Sequence, residues 1–311
     1  MMAMRCPICS SNEHTLITDR VRFDNKADVL KCRECSLIYL DQGSFTLPAD
    51  FYEGDYHQTY ITHVEPSAFD PASYYQKMLQ VTRPWSERIK KVLTGRETVL
   101  DFGCSTGHLL TQIQGNAKKV TGHELNKKEV EFCRDKLGLD VSDTPLEERF
   151  SEGTFDLITM VFVLEHIAEP VNLLMDLKKF LKPGGSFIIL VPNAQDALLS
   201  FYDIPAFASF YFCVEHLFYY TPETIKRLFA LAGLDGDIET LQEYPIGNHL
   251  NWGYYKKPSD TLTSRGVMPN IPLADDAHLS EWEGFWRMVD DEYRKLLHKL
   301  GFGDRLWCSV K

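Results

Sequence analysis

The chain has 311 residues, of which 44% are hydrophobic and 25% charged, with a formal net charge of −11. These values are ordinary for a globular protein long enough to bury a large core. The acidic balance disfavours a nucleic-acid partner, because phosphates are bound by a basic surface. No apolar run is long enough to cross a membrane and the first residues do not resemble a signal peptide, so we expect a cytoplasmic protein without a membrane partner.

Two Cys-x-x-Cys pairs stand near the N-terminus, Cys6 with Cys9 and Cys32 with Cys35. The segment between them alternates in patches and contains an Asp-Asn-Lys turn, which is typical of a small β-ribbon. Four thiolates at this spacing favour a tetrahedral zinc ion, and since no ligand position stays open, the metal would be structural. Disulfide bonds are the alternative, which a cytoplasmic location disfavours. We therefore predict a zinc ribbon over residues 1–48.

Residues 49–96 form a connector that is rich in aromatic side chains. Its second half predicts a helix that is interrupted or begins at Pro84, with Trp85, Ile89 and Val92 on one face. Aromatic residues at this density either pack the connector on the main domain or line a ligand pocket as a lid. Packing is the more common of the two roles.

The stretch VLDFGCSTGHLL at residues 99–110 has the pattern of a strand that runs into a glycine turn and then a helix. A dinucleotide-binding turn needs Gly-x-Gly-x-x-Gly, but Ser105 and His108 replace two of those glycines, which argues against a pyrophosphate. Asp101 ends the strand, and a carboxylate there repels phosphate but can bind an ammonium group. The turn therefore predicts a ligand with an amino-acid end.

Glu124 ends the next predicted strand. A carboxylate at the tip of the second strand is positioned to accept hydrogen bonds from both ribose hydroxyls of a nucleoside. Asn126 then begins a helix, with Glu129 three residues later in a capping-box arrangement. A ligand that combines an amino acid, a ribose and a base is S-adenosylmethionine (SAM).

Four stretches in this order resemble those of class I SAM-dependent methyltransferases: VLDFGCSTG, VTGHEL, FDLITMVFVLEHIAEP and LKKFLKPGGSFIILVPN. The resemblance implies an enzyme with a Rossmann-like, seven-stranded, doubly wound α/β sheet over residues 97–243 and 302–311. Residues 244–301 are then a helical insertion before the last strand, expected to cover the acceptor side. The resemblance also implies cofactor contacts: Asp101, Gly103, Cys104, Ser105 and Gly107 around the methionine end, Glu124 on the ribose, Asp143 and Thr144 near the adenine, and Val161.

Strands are predicted near residues 98–101, 119–123, 139–141, 155–160, 187–191 and 236–243, and the last one is the C-terminal RLWCSVK. Helices alternate with them, which is the pattern of a parallel doubly wound sheet. Thr221 is expected to cap a helix that ends at Gly233. A long helix in the insertion carries an apolar stripe that we expect to pack in the core. The stripe consists of Trp282, Phe285, Trp286, Val289, Tyr293, Leu296, Leu297 and Leu300.

Two histidines follow the predicted strands at the carboxyl edge of the sheet, where an acceptor binds. His166 belongs to Leu-Glu-His, a stretch common in the wider family, and we assign it to the cofactor side. His216 lies in FYFCVEHLFYYTP, which is similar to sugar-nucleotide C-methyltransferases that also carry an N-terminal zinc-binding module. That resemblance implies His216 as general base, oriented by Glu215 and Tyr211. A structural or substrate-binding role for His216 is the alternative.

The predicted function is methyl transfer from SAM to a small-molecule acceptor, a sugar nucleotide or another biosynthetic intermediate. The protein would hold the acceptor in line with the sulfonium and remove a proton. One alternative is an RNA methyltransferase that uses the ribbon for substrate recognition, which the acidic charge disfavours. The other is a non-catalytic SAM-binding scaffold whose ribbon binds a partner.

Overall fold

The computed structural model describes residues 5–48, 51–52, 70–258 and 278–311. The aromatic segment 53–69, with His57 and His63, lies outside the described residues, as does part of the insertion at 259–277. The strands, in chain order, are β1 (His14–Val21), β2 (Asn25–Cys32), β3 (Ile38–Leu40), β4 (Thr98–Phe102), β5 (Lys119–His123), β6 (Val141–Ser142), β7 (Phe155–Val161), β8 (Leu181–Pro192), β9 (Phe218–Tyr219), β10 (Gly236–Leu241) and β11 (Arg305–Val310). The helices are α1 (Pro71–Val81), α2 (Arg83–Lys90), α3 (His108–Ile113), α4 (Lys127–Leu137), α5 (Leu146–Arg149), α6 (Pro170–Lys179), α7 (Ala197–Ser200), α8 (Pro205–Tyr211), α9 (Pro222–Leu231), α10 (Ile246–Tyr255) and α11 (Leu279–Leu300).

The larger of two sheets has seven strands in the spatial order β10-β11-β8-β7-β4-β5-β6. It is parallel except for β11, which runs between β8 and β10 and is antiparallel to both. The chain passes from β4 to β5 and β6 on one side and then crosses to β7 and β8 on the other. In such sheets the ligand binds where the strand order reverses, at the carboxyl ends of the strands. The predicted seven-stranded Rossmann-like sheet is confirmed, and the site is expected next to β4.

Both faces of the larger sheet are buried. Val99 of β4 packs with Trp85 of α2 on one face, while the next residue, Leu100, packs with Leu174 of α6 and Leu228 of α9 on the other. A strand that is buried on both faces needs apolar side chains in both directions. This is why the parallel strands are nearly continuous apolar runs in the sequence.

The second half of the connector forms two helices that meet at Thr82, beside the interruption predicted at Pro84. Trp85 and Ile89 are buried, as the helical periodicity predicted. Val92 is 57% exposed. Its predicted place on the buried face is wrong, because α2 ends at Lys90 and the periodicity does not continue beyond it.

The N-terminal ribbon belongs to the smaller sheet, which has the order β1-β2-β3-β9. Its fourth strand is not part of the ribbon but follows α8 much later in the chain. The Leu40 N–H donates a hydrogen bond to the Leu217 carbonyl at 2.9 Å, and the Arg22 Nε donates to the Phe210 carbonyl at 2.6 Å. The ribbon therefore holds the segment 210–219, which contains Glu215 and His216.

The long helix of the insertion, α11, does not bury the predicted stripe. Its aromatic and apolar residues are largely exposed, among them Trp282 (54%), Phe285 (45%), Leu296 (50%) and Leu300 (51%). The helix packs through a narrower face, which contains Leu297, the one buried member of the stripe, and Asp290, which accepts hydrogen bonds from Ile246 N and Arg294 Nε, each at 2.6 Å. The core-packing prediction is wrong for most of the stripe, because this half-polar face fixes the helix.

No helix among the described residues is long and apolar enough to span a membrane.

Candidate active site

The turn after β4 is built from positions that exclude a side chain. Gly103 has φ +74°, and a Cβ there would lie 2.5 Å from Val163 Cγ2. Gly107 has φ +71°, and a Cβ there would lie 2.6 Å from Leu139 Cδ1. Left-handed backbone at both positions favours glycine, and close packing excludes any larger residue. The turn therefore packs tightly on Val163 and Leu139, and this packing fixes its shape.

A cavity of about 330 Å³ opens at the carboxyl ends of β4, β5 and β7. Six of the nine predicted cofactor residues line it: Asp101, Gly103, Cys104, Ser105, Glu124 and Val161. Gly107, Asp143 and Thr144 are not among the described lining residues. Gly107 instead lets the start of α3 pack against Cys133 of α4 and against Leu139, and the Thr144 N–H donates a hydrogen bond to Ser142 Oγ at 3.0 Å.

Asp101 presents a buried carboxyl group at the end of β4. The residue is 3% exposed, and Oδ1 accepts a hydrogen bond from Thr159 Oγ1 at 2.6 Å. Burial raises the pKa of Asp101 to about 7, against the opposing effect of the Thr159 hydrogen bond. A buried carboxylate of this kind is stabilised by a cationic ligand group.

Glu124 stands beside it at the end of β5 and is held by two backbone groups. Oε2 accepts a hydrogen bond from Ser105 N at 2.8 Å, and Oε1 accepts one from Asn126 N at 2.9 Å. Burial raises the pKa of Glu124 to about 7, and the nearby Glu129 contributes to the rise. Each oxygen keeps further acceptor capacity, so the fixed carboxylate can receive two hydroxyl groups.

These raised pKa values predict that SAM affinity increases with pH. If Asp101 binds the ammonium group and Glu124 the ribose hydroxyls, as the sequence predicts, both act in the ionised form, whereas pKa values of about 7 leave both partly protonated near pH 7. We expect the affinity to fall at least about tenfold between about pH 8 and about pH 5.5. Calorimetry at about pH 6 in buffers of different ionisation enthalpy should detect proton release on binding. An affinity that is flat over this range would contradict the assignment of both carboxylates.

Side chains that the sequence pattern did not assign to the cofactor complete the cavity. Tyr52, Tyr74, Met78 and Trp85 of the connector line it, together with His108, Glu129 and Phe162. Trp85 also packs edge-on against Phe162, with ring centroids 5.2 Å apart. The connector aromatics therefore have both roles that the sequence left open. The high density of aromatic residues in the connector was the sequence feature that indicated a lining role. Which of them reach the cavity depends on how α1 and α2 pack.

His166 is brought to the cavity by the short 3₁₀ turn Leu164–His166 after β7. Its ring lies edge-on to that of His216, with centroids 4.9 Å apart. The Leu217 N–H donates a hydrogen bond to the Glu165 carbonyl at 2.8 Å, which joins the two histidine segments. Burial lowers the pKa of His166 to about 3 and that of His216 to about 4, so both rings are neutral at pH 7.

The predicted catalytic residues His216, Glu215 and Tyr211 are not among the described lining residues. His216 contacts His166, which lines the cavity, and the Glu215 carbonyl lies 2.9 Å from His166 Nδ1. Tyr211 is buried in an aromatic cluster, with its ring centroid 5.7 Å from that of Tyr219. Of His166 and His216, it is His166, which the sequence placed on the cofactor side, that lines the cavity.

Residues 75–238, more than half of the chain, match the family model of a methyltransferase domain. The chain belongs to this methyltransferase family. The predicted enzyme class is confirmed at that level, and the cavity lies within the matched region except at Tyr52 and Tyr74.

Relatives of this methyltransferase match it over part of their length. The ubiquinone biosynthesis O-methyltransferase of Bordetella pertussis is 30% identical over 128 residues, which are 38% of this chain and 52% of the relative. The enzyme of that name from Nitrosococcus oceani is 34% identical over 103 residues, or 30% of this chain and 43% of the relative. The chain thus spans about half the length, or less, of these curated relatives. A solved SAM-dependent methyltransferase structure from Archaeoglobus fulgidus has a TM-score of 0.49 and 17% identity, covering 81% of this chain and 98% of that one.

The four N-terminal cysteines of the methyltransferase converge on one point. Cys6 Sγ lies 3.4 Å from Cys35 Sγ, and Cys9 Sγ lies 3.4 Å from Cys32 Sγ. All four sulfur atoms lie within 4.8 Å of one another. A tetrahedral zinc ion with bonds of about 2.3 Å places its thiolates about 3.8 Å apart, so the cluster fits that metal.

Proposed function

We propose that this methyltransferase binds SAM in the cavity beside β4 and transfers the methyl group to an oxygen atom of a small-molecule acceptor. One observation carries the proposal: two fixed carboxyl groups, Asp101 and Glu124, flank a glycine turn at the point where the strand order reverses. The names of the relatives support an oxygen acceptor, since they are O-methyltransferases. A sugar nucleotide as the acceptor stays a prediction.

In this proposal each of the two carboxylates binds a different part of the cofactor. Asp101 binds the ammonium group of the methionine end, for which a buried carboxylate is suited. Glu124 accepts hydrogen bonds from the ribose hydroxyls. SAM supplies an electrophilic methyl group, so the remaining task of the protein is to position the acceptor and to handle its proton. Asp143 and Thr144 lie outside the described cavity lining, and their contact with adenine stays a prediction.

The reaction requires one proton to leave the acceptor. The bond between the sulfonium sulfur and the methyl carbon breaks as the carbon–oxygen bond forms, a neutral thioether leaves, and the hydroxyl proton is released. His166 and His216 are the nearest candidates to act on that proton, because both are neutral and His166 lines the cavity. The role of His216 as general base stays a prediction, which its contact with His166 supports.

Replacing His216 with glutamine is expected to lower kcat by about 10² while the affinity for SAM stays within about twofold. Loss of the imidazole removes proton handling, whereas the proposed cofactor contacts come from Asp101 and Glu124 at the ends of β4 and β5. Turnover with methyl-labelled SAM and calorimetric SAM binding measure the two quantities. His278→Gln, at an exposed histidine in front of α11, is the matched control. An unchanged kcat would exclude His216 from the reaction.

We propose that the cysteine cluster binds a structural zinc ion. Its four ligands leave no open position, so the ion would serve folding and not chemistry. Through β3 and β9 the ribbon supports the segment that carries His216. Its function in this proposal is to position the acceptor side of the cavity.

The function is tested with methyl-labelled SAM and two acceptor pools, purified total RNA and a small-molecule extract rich in nucleotide sugars and phenols. Label in the small-molecule pool supports the proposal, and mass spectrometry of the labelled product identifies the acceptor and the methylated atom. Label in RNA would replace it with the nucleic-acid alternative. Tight SAM binding with label in neither pool would favour the non-catalytic scaffold.

A further inference from the structure

Three side chains with metal-binding atoms meet between the cavity and the ribbon. The ligand atoms of Glu165, His166 and His216 all lie within 4.8 Å of one another. Two of the three follow β7, and the third precedes β9. The cluster is separate from the four cysteines, and His166 connects it to the cavity.

The buried carboxyl group of Glu165 is suited to binding a cation. The residue is 1% exposed, and neither carboxyl oxygen has a hydrogen-bond partner among the described residues. A buried acceptor without a partner costs about 1–3 kcal/mol, and more when it is charged. The positive charge of Arg305 acts on Glu165 from a distance, but its guanidinium is directed to the Asp304 carbonyl at 2.9 Å and to Glu243.

The imidazole of His166 is oriented by the segment that carries His216. The Glu215 carbonyl, 2.9 Å from His166 Nδ1, can only accept a hydrogen bond, so Nδ1 is the protonated nitrogen. The Tyr52 hydroxyl lies 3.0 Å from this nitrogen, which leaves Nε2 as the nitrogen that can serve as a ligand. A backbone carbonyl that fixes the tautomer in this way is the usual support of a histidine ligand.

The backbone holds the three donors in place. Leu217 N donates to the Glu165 carbonyl, and the Tyr52 hydroxyl donates to the Glu215 carbonyl at 3.1 Å. Bonds of about 2.1 Å bring three ligands to about 3–4 Å from each other. Side-chain movements of about 1 Å would therefore bring the three ligand atoms to bonding distance from one ion.

We propose that Glu165, His166 and His216 bind one divalent transition-metal ion, of the kind that two imidazoles and one carboxylate select, such as zinc or iron(II). This inference rests on the proposed function and specifies how the histidines act. Three protein ligands leave coordination positions of the metal open. Since His166 lines the cavity, these open positions can face it. The open position accepts the acceptor's hydroxyl oxygen. The ion lowers the pKa of that hydroxyl, and its proton passes to solvent before the methyl group arrives.

The test titrates Co²⁺ into protein whose cysteine cluster has been loaded with zinc. Cobalt bound to nitrogen and oxygen gives visible absorption bands without the thiolate charge-transfer band of a cysteine site, so the two sites are distinguishable. We expect one equivalent to bind in the wild type. Glu165→Gln and His216→Gln should weaken that binding by about 100-fold or more. Glu169→Gln, at an exposed carboxylate four residues away, should not change it.

The wild-type titration decides the proposal even if a variant fails to fold. Absence of the visible bands in wild-type protein, with and without SAM, would overturn the metal site. Turnover that survives a chelator would also overturn the metal's role and leave the histidines as bases. SAM binding is measured in the same samples: binding without cobalt bands contradicts only the metal site, whereas absence of SAM binding contradicts the proposed function itself.

Discussion

Alanine in place of Glu124 is expected to weaken SAM binding by about 10²-fold or more, because two charge-assisted hydrogen bonds to the ribose are lost. The same substitution releases Ser105 N and Asn126 N, which the carboxylate now holds at 2.8 and 2.9 Å. The glycine turn would then lose its fixed shape as well. Calorimetric titration with SAM measures the effect, and Glu124→Gln separates the loss of charge from the loss of the side chain.

The matched control is Glu131→Ala, which removes an exposed carboxylate from α4 without touching the cavity. We expect it to bind SAM as the wild type does. Asp101→Asn should weaken binding to a similar extent as Glu124→Ala, since a neutral amide does not stabilise an ammonium group. If Asp101→Asn and Glu124→Ala both bind SAM normally, the cavity beside β4 is not the cofactor site.

Removal of zinc from the cysteine cluster is expected to produce the largest change in stability. Binding energy of a structural zinc ion is folding energy, so Cys32→Ser should lower the free energy of unfolding by about 3 kcal/mol or more. Because the ribbon and β9 share one sheet, the segment with His216 should lose its support at the same time. Turnover should therefore fall together with metal content, while SAM binding at the proposed site beside β4 and β5 should be retained.

Metal analysis of freshly purified, reduced protein, followed by thermal unfolding with and without a chelator, measures this effect. Cys308→Ala, at a buried cysteine in β11 far from the cluster in sequence, controls for the loss of a thiol. It should retain the zinc. Absence of zinc in the wild type, or a melting temperature that a chelator leaves unchanged, would contradict the structural zinc site.

The half of the cavity at the ends of β4 and β5 could be predicted from the sequence because each of its parts is local. The positions of Asp101 and Glu124 follow from two short apolar strands, and the carboxyl ends of neighbouring parallel strands meet at one edge. Gly103 is fixed by the turn that follows β4. The two Cys-x-x-Cys pairs likewise predict their own convergence, since each pair is a single turn.

The acceptor half could not be predicted, because it joins segments that are far apart in the chain. The backbone hydrogen bond from Leu217 to Glu165 helps to bring His166 and His216 together, and β9 joins their segment to the sheet of the ribbon. The helical periodicity of α11 predicted a buried apolar stripe, but most of that stripe is exposed. Periodicity shows which residues share a face of a helix, but not which face the rest of the molecule covers.

The sequence by itself thus determined the sheet, the glycine turn, the two strand-end carboxylates and the four thiols, because local periodicity and spacing dictate them. The tertiary structure alone decided that His166 and not His216 lines the cavity, and which connector aromatics line it. It also decided that Glu165 is buried beside the imidazoles of both histidines. Such contacts depend on how distant elements pack on one another, and no short stretch of the chain encodes that packing.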